Sequence, residues 1–135
     1  MKNKKIIIIV SVVVVLLLCL FVPSLISYFS YDNLPKEVIV YEYGFNNDQD
    51  VKEIIITDEK EIKSLSRYVK RLDSANNVDI WLALLEDVKI KYNDSITIEI
   101  QLGEEGYCYY TNNGESKLVR MPSGLYKWVT RNLSE

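Results

Sequence analysis

Histidine is absent from all 135 residues. Its absence removes the commonest general base, the Ser-His and Cys-His nucleophile pairs, and most transition-metal sites. Cysteine occurs twice, at Cys19 inside a long apolar run and at Cys108. The rest of the chain therefore holds one thiol and cannot build an intramolecular disulfide framework. Five glycines and three prolines are scattered singly, and no glycine-rich phosphate loop or Walker or Rossmann pattern occurs. A block of basic residues is also missing, so composition gives no footprint for nucleic acid or anionic lipid.

Hydrophobic length is what the chain has in excess. From Ile6 to Val22 every position but Ser11 is apolar, and beyond Pro23 and Ser24 the run continues through Leu25, Ile26, Tyr28 and Phe29. As a helix, residues 6–29 extend roughly 36 Å, against a hydrocarbon core of about 30 Å. Lys2, Lys4 and Lys5 precede the run, while Asp32, Lys36 and Glu37 follow it. The positive-inside rule then expects a cytoplasmic N-terminus and an exported remainder. A cleaved signal peptide has an apolar core of about 7–15 residues and small residues at the cut. Val22-Pro23-Ser24 is the one tolerable site here. A lipoprotein signal wants a small residue before the acylated cysteine, and Cys19 follows Leu16-Leu17-Leu18. An uncleaved transmembrane anchor fits the length best. Tyr28, Phe29 and Tyr31 suit either the outer membrane interface or ordinary packing.

All 19 acidic residues lie after the run, against 13 of the 16 basic ones, which leaves that part at −6. Spread evenly, these charges read as a solvated surface. Within it, Val38 to Tyr43 and Val51 to Thr57 are β-branched and aromatic, and the polar stretch Phe45 to Asp50 between them makes a hairpin the natural reading. Asp58 stands three residues before Glu61, the spacing of a capping box, and Ile62, Leu65, Val69 and Leu72 then mark an amphipathic helix. Asp73 to Asn77 breaks it. The cluster Ile80 to Leu85 is too short to assign by period and reads as a short helix or a buried connector.

Clean alternation returns at Val88, Ile90 and Tyr92, and again at Ile96, Ile98, Ile100 and Leu102, each with polar residues between. Asn93-Asp94-Ser95 and Asn112-Asn113-Gly114 are turn sequences, and Gly103 to Gly106 is another. Tyr107 to Thr111 and Lys117 to Met121 are the remaining strands. Leu125, Trp128, Val129 and Leu133 form a last amphipathic helix with Ser123 as its expected N-cap. The expectation is an α+β domain: a mostly antiparallel sheet of five to six strands with two helices on one face, preceded by one transmembrane helix. Its parts would be a basic tail at 1–5, an anchor at 6–29, a linker at 30–37 and the domain at 38–135.

Candidates for chemistry are few. The carboxylate pairs Asp48 with Asp50, Glu86 with Asp87, and Glu104 with Glu105 are near neighbours in turns, whereas a glycosidase needs two carboxylates across a cleft. Asn46 to Asp50 faintly resembles a calcium loop but lacks its glycine and closing glutamate. Cys108, inside a strand, reads as a small apolar core residue, since no neighbouring histidine or cation run favours a thiolate. No metal or cofactor site is expected. Tyr107, Tyr109 and Tyr110, together with Tyr41, Tyr43 and Tyr92, place many amphipathic rings on adjacent strands. They fit either packing under the helices or an exposed binding face.

The run Ile54 to Lys63, the alternating strands, the tyrosine cluster after Gly106 and the closing Leu118 to Val129 resemble small extracytoplasmic α+β domains of Gram-positive cell-surface proteins. Such domains are carried on a lipid or transmembrane anchor. The resemblance covers nearly all of the exported part and implies a cell-surface location and a binding role. It is a pattern of elements, so it assigns no reactive residue. The expected function is a membrane-anchored binding or accessory module for an envelope protein or peptide. The alternative is a hydrolytic or redox enzyme using Cys108 or clustered carboxylates.

Overall fold

The computed structural model describes residues 2–29, 33–44, 51–80, 82 and 84–135. The chain divides into two compact units, Met1–Asp32 and Asn33–Glu135. The first is the helix α1, Lys2–Phe29. Its stretch Asn3–Pro23 is long and apolar enough to cross a membrane, and none of it is buried against protein. Ser11, the polar exception, donates its hydroxyl to the Ile7 carbonyl at 2.8 Å. That local bond pairs the Ser11 hydroxyl within an apolar stretch.

The second unit is a six-stranded sheet with two helices. Its strands are β1 (Val38–Tyr43), β2 (Val51–Ile56), β3 (Val88–Lys91), β4 (Ile96–Ile100), β5 (Tyr107–Asn112) and β6 (Glu115–Arg120). They lie in the order β2-β1-β3-β4-β5-β6, every pair antiparallel. The helices are α2 (Glu59–Ser74) and α3 (Leu125–Leu133).

Because side chains alternate across a strand, one set of residues builds the core. Val38 and Val40, Ile56, Val88 and Ile90, Ile98 and Ile100, Cys108 and Tyr110, and Val119 all point to the inner face. The apolar stripes of both helices cover them: Ile62, Leu65, Val69 and Leu72 from α2, and Leu125, Trp128 and Val129 from α3. The helices cross this face in opposite directions. Beginning just after β2, α2 ends beside the β5–β6 hairpin, where Asn112 Nδ2 donates to the Asp73 carboxylate and Lys117 Nζ donates to the Asp73 and Ala75 carbonyls. The lysine thus neutralises the negative end of the helix dipole and satisfies its orphan carbonyls. In turn α3 starts after β6 and ends where Lys52 of β2 reaches the Leu133 carbonyl.

Two cap expectations change. Asp58 does cap α2, accepting from the Lys60 and Glu61 amides at 2.7 and 3.3 Å. The reciprocal half of the capping box is not used, because Glu61 Oε2 turns to α3 and accepts from Arg131 at 2.7 Å and from Asn132 at 3.3 Å. At α3 the cap position is Gly124 and not Ser123, with no side-chain cap bond. The turn after Pro122 requires φ +93° there, and an added Cβ would come within 2.5 Å of the Tyr68 hydroxyl oxygen.

After α2 the chain must return to β3. Residues 75–87 do this as an extended belt, with no helix among its described residues. Val78 donates its amide to the Leu118 carbonyl, and Asn77 Oδ1 accepts the Leu118 amide, so the belt runs along the outer edge of β6. It then crosses the outer face, where Leu82 offers its carbonyl to the Tyr109 hydroxyl at 3.0 Å. Further on, Leu85 donates its amide to Gln101 Oε1, and the Asp87 carbonyl receives the Tyr43 amide. Among the described residues of the cluster at 80–85 none is helical or fully buried: Leu82 and Leu84 are half-buried, while Ile80 and Leu85 are 47% and 69% exposed, and Trp81 and Ala83 lie outside the described residues.

Two outcomes follow from these junctions. Gly124→Ala lowers the unfolding free energy of the full chain by about 1–2 kcal/mol from the left-handed backbone alone, plus a clash with Tyr68. In a Tyr68→Phe background the clash part shrinks, so a urea-unfolding double-mutant cycle gives a non-zero coupling energy. Asp73 is held below its usual pKa of 3.8 by hydrogen bonds from Asn112 and Tyr110. A carboxyl more acidic folded than unfolded adds stability that is complete above the unfolded value and is lost as pH falls through the folded one. Asp73→Asn removes that acid-side component, which urea midpoints at pH 3 and pH 6 measure.

Candidate binding surface

Inward packing of alternate residues leaves a complementary set on the outer face, and register fixes their neighbours. One row across the sheet runs Glu53, Tyr41, Lys89, Glu99, Tyr109, Leu118; the next runs Ile55, Ile39, Lys91, Thr97, Thr111, Ser116. Val51 stands opposite Tyr43 at the β1–β2 end.

The belt divides this face. Over β5 and β6 it seats on Tyr109 and Leu118, leaving Leu118 only 5% exposed on what would otherwise be a wet surface. A recess of about 360 Å³ remains along the seam, lined by Asn77, Ile80, Leu82, Tyr109, Ser116 and Leu118 among others. Over β1 and β2 the described part of the belt reaches Tyr43, whose hydroxyl is bonded to Glu86 and whose amide donates to the Asp87 carbonyl. Val51 and Ile55 are 41% and 54% exposed, and Ile39, Tyr41 and Tyr43 are half-buried beside them. These five surround Glu53, which is itself exposed.

A charged border marks the middle of the sheet. Lys89 lies 3.5 Å from Glu86 and 3.3 Å from Glu99. Burial pulls its pKa down, but the two carboxylates outweigh that and hold the ammonium above its usual value. Burial, and then the negative charge of Glu86, raises the Tyr43 hydroxyl, which stays a neutral donor.

The three tyrosines singled out from the sequence do not share a face. Tyr107 and Tyr109 point outward and are half-buried, and the Tyr109 hydroxyl is spent on the belt. Tyr110 points inward and is 1% exposed. Its hydroxyl donates to Asp73 at 2.9 Å, and burial, reinforced by that carboxylate, raises its pKa. Consecutive strand residues must diverge in this way, so Tyr110 belongs to the core and the outward-facing group is Tyr41, Tyr43, Tyr107 and Tyr109. Tyr92 is also buried, and burial raises its pKa. The aliphatic members Ile39, Val51 and Ile55 were missed as surface residues. Their β-branched composition reads as core, and the alternation that exposes them shows only once β2 is known to be an edge strand.

The other candidates resolve as structure. Cys108 is fully buried, and burial pushes its thiol up to about 12. Asp87 Oδ2 accepts the Leu102 amide, Glu104 Oε1 accepts the Gly106 amide, and Glu86 pairs with Lys89. Asp48, Asp50 and the stretch Asn46 to Asp50 lie outside the described residues. Among the described residues no three metal-ligating side chains converge. A polar recess of about 480 Å³ has Asp73 in its lining, already bonded to Tyr110, Asn112 and Lys117.

No family model, curated protein or solved structure matches this chain. What the open face does is therefore read from its own geometry.

The thiol gives a direct check. In a Cys19→Ser chain, Cys108 stays unlabelled by a water-soluble thiol reagent at pH 8 under native conditions and reacts fully once unfolded in urea, followed by mass spectrometry. Rapid native labelling would restore the reactive-cysteine reading.

Proposed function

We propose that this chain is a single-pass membrane protein that holds residues 33–135 outside the cytoplasm as a non-catalytic binding module for an envelope protein or peptide. The observation that carries the reading is the β1–β2 end of the outer face: Val51 and Ile55 are exposed on an edge strand, with Ile39, Tyr41 and Tyr43 partly exposed beside them. Exposed aliphatic and aromatic groups gathered in one place are what a protein surface offers to a partner, whereas the same groups scattered singly need no explanation. The belt makes the contrast sharper, since it covers the apolar groups at the other half of the sheet.

Topology follows from α1. Its apolar length suits a membrane span, and the three lysines before it favour a cytoplasmic N-terminus. The net charge of −6 on the part of the chain beyond the run suits a solvated face of the envelope and argues against docking on anionic lipid. The likeness to anchored Gram-positive surface domains belongs to the same reading.

In cells of the source organism, a photo-crosslinking phenylalanine analogue at Tyr41 or at Ile55 gives a discrete adduct with one envelope protein. The same analogue at exposed Lys60 on α2 does not. Equal adducts at Lys60, or none at the two sheet positions, would remove this reading.

A further inference from the structure

The two edges of the sheet are treated differently. Along β6 the belt supplies Val78 and Asn77 to the Leu118 carbonyl and amide. Along β2 no described residue pairs with the outward backbone groups. A row of free amides and carbonyls is a template for another strand, and proteins that leave one open commonly blunt it with lysine. Here the lysine is withdrawn: Lys52 Nζ reaches inward to the Leu133 carbonyl at 3.2 Å. The side chains β2 presents on the open face are Val51, Glu53 and Ile55.

We propose that β2 accepts an antiparallel strand from a different polypeptide, one with a lysine or arginine opposite Glu53 and apolar residues two positions to either side. This rests on the binding-module reading and names its partner's chemistry. The free backbone groups require an extended chain, and the outward triplet sets its pattern: apolar, cation, apolar. Directly opposed residues in antiparallel pairs interact, and opposite charges there are favourable. Within the sheet, Tyr41 already occupies the other side of Glu53 and brings no cation, so a cross-strand cation for this carboxylate can be supplied only from the free side.

A second copy of this chain does not fit. A two-fold axis normal to the sheet keeps each residue on its own face, so odd-numbered residues of β2 oppose only odd-numbered ones. Glu53 would meet Val51, another Glu53, Ile55 or Thr57, and never Lys52, the one cation of the strand. Self-pairing therefore leaves Glu53 without a charge partner in every register and sets it against itself in one. The edge selects for a different sequence.

The test uses the full chain in lipid nanodiscs and two blocked, fluorescein-labelled peptides. The first is Thr-Val-Ile-Lys-Glu-Val-Thr, which in antiparallel register sets its lysine opposite Glu53 and its glutamate opposite Lys52. The second replaces the lysine with glutamate. Fluorescence anisotropy is expected to show saturable binding of the first and about fivefold weaker binding of the second, in keeping with one reversed cross-strand charge pair. Glu53→Lys inverts that preference. Amide hydrogen exchange slows at residues 51–56 on binding and stays unchanged in α2.

Absent saturable binding, a preference that ignores Glu53→Lys, or unaltered exchange at 51–56 would each overturn strand addition. A concentration-dependent dimer protecting the same amides would give the edge to a second copy and overturn it equally. Adducts at Tyr41 and Ile55 alongside a failed peptide leave the binding module standing without the strand. Peptide binding without adducts leaves the edge chemistry standing without the cellular role.

Discussion

Everything on the outer face depends on how residues 75–87 bring the chain from the end of α2 back to β3. Since β1 separates β2 from β3, the return cannot be a hairpin, and with both helices on the inner face it passes over the outer one. Hydrogen bonds between the belt and Leu118 commit it to the β6 edge. From there its apolar groups settle on Tyr109 and Leu118. One segment thereby protects one edge and half of one face, and by the same choice leaves β2 and the β1–β2 face open. Exposure at Val51 and Ile55 is thus a property of the connection, since nothing in those two residues sets them apart from the isoleucines of the core.

Much of the domain could be read in the chain because its signals are local. Period-2 alternation at Val88, Ile90, Ile98 and Ile100 marks strands without reference to anything distant. Asn113 and Gly114, at φ 51° and 82°, take the left-handed conformations their sequence favours. The two helices declare themselves by spacing. What could not be read depends on pairing between distant segments: that β1 sits between β2 and β3, that β2 is an edge, and that the aperiodic cluster at 80–85 is a belt. The tyrosine stripe is a different case. Alternation from Cys108 already places Tyr109 and Tyr110 on opposite faces, so the divergence was present in the sequence, and counting rings by proximity in the chain obscured it. At Ser123 and Glu61 the local rule was outbid by tertiary partners, a glycine turn under Tyr68 in one case and Arg131 in the other.

The inner and outer faces also differ in how they use polar groups. On the helix side, polar side chains are spent on the helices themselves: Asp58 on the start of α2, Lys117 on its end, and Asn132 on the Trp128 carbonyl within α3. Among the described residues, no buried side-chain polar atom is left without a partner. On the outer face the charges pair sideways across strands, as Lys89 does with Glu99, and form a wet border to the apolar patch. A border of this kind would confine the proposed partner to β1, β2 and the edge.

Tyr109 and Tyr110 give the belt one further property. The hydroxyl of Tyr110 is fastened to Asp73 on the inner side of the sheet, and that of Tyr109 to Leu82 on the outer side. The last turn of α2 and the middle of the belt are therefore clipped by adjacent residues of β5, through the thickness of the sheet. A slip of β5 by a single residue would send each ring to the opposite side and release both clips together. Strand register and belt path thus form one all-or-none latch, in which neither can drift without undoing the other.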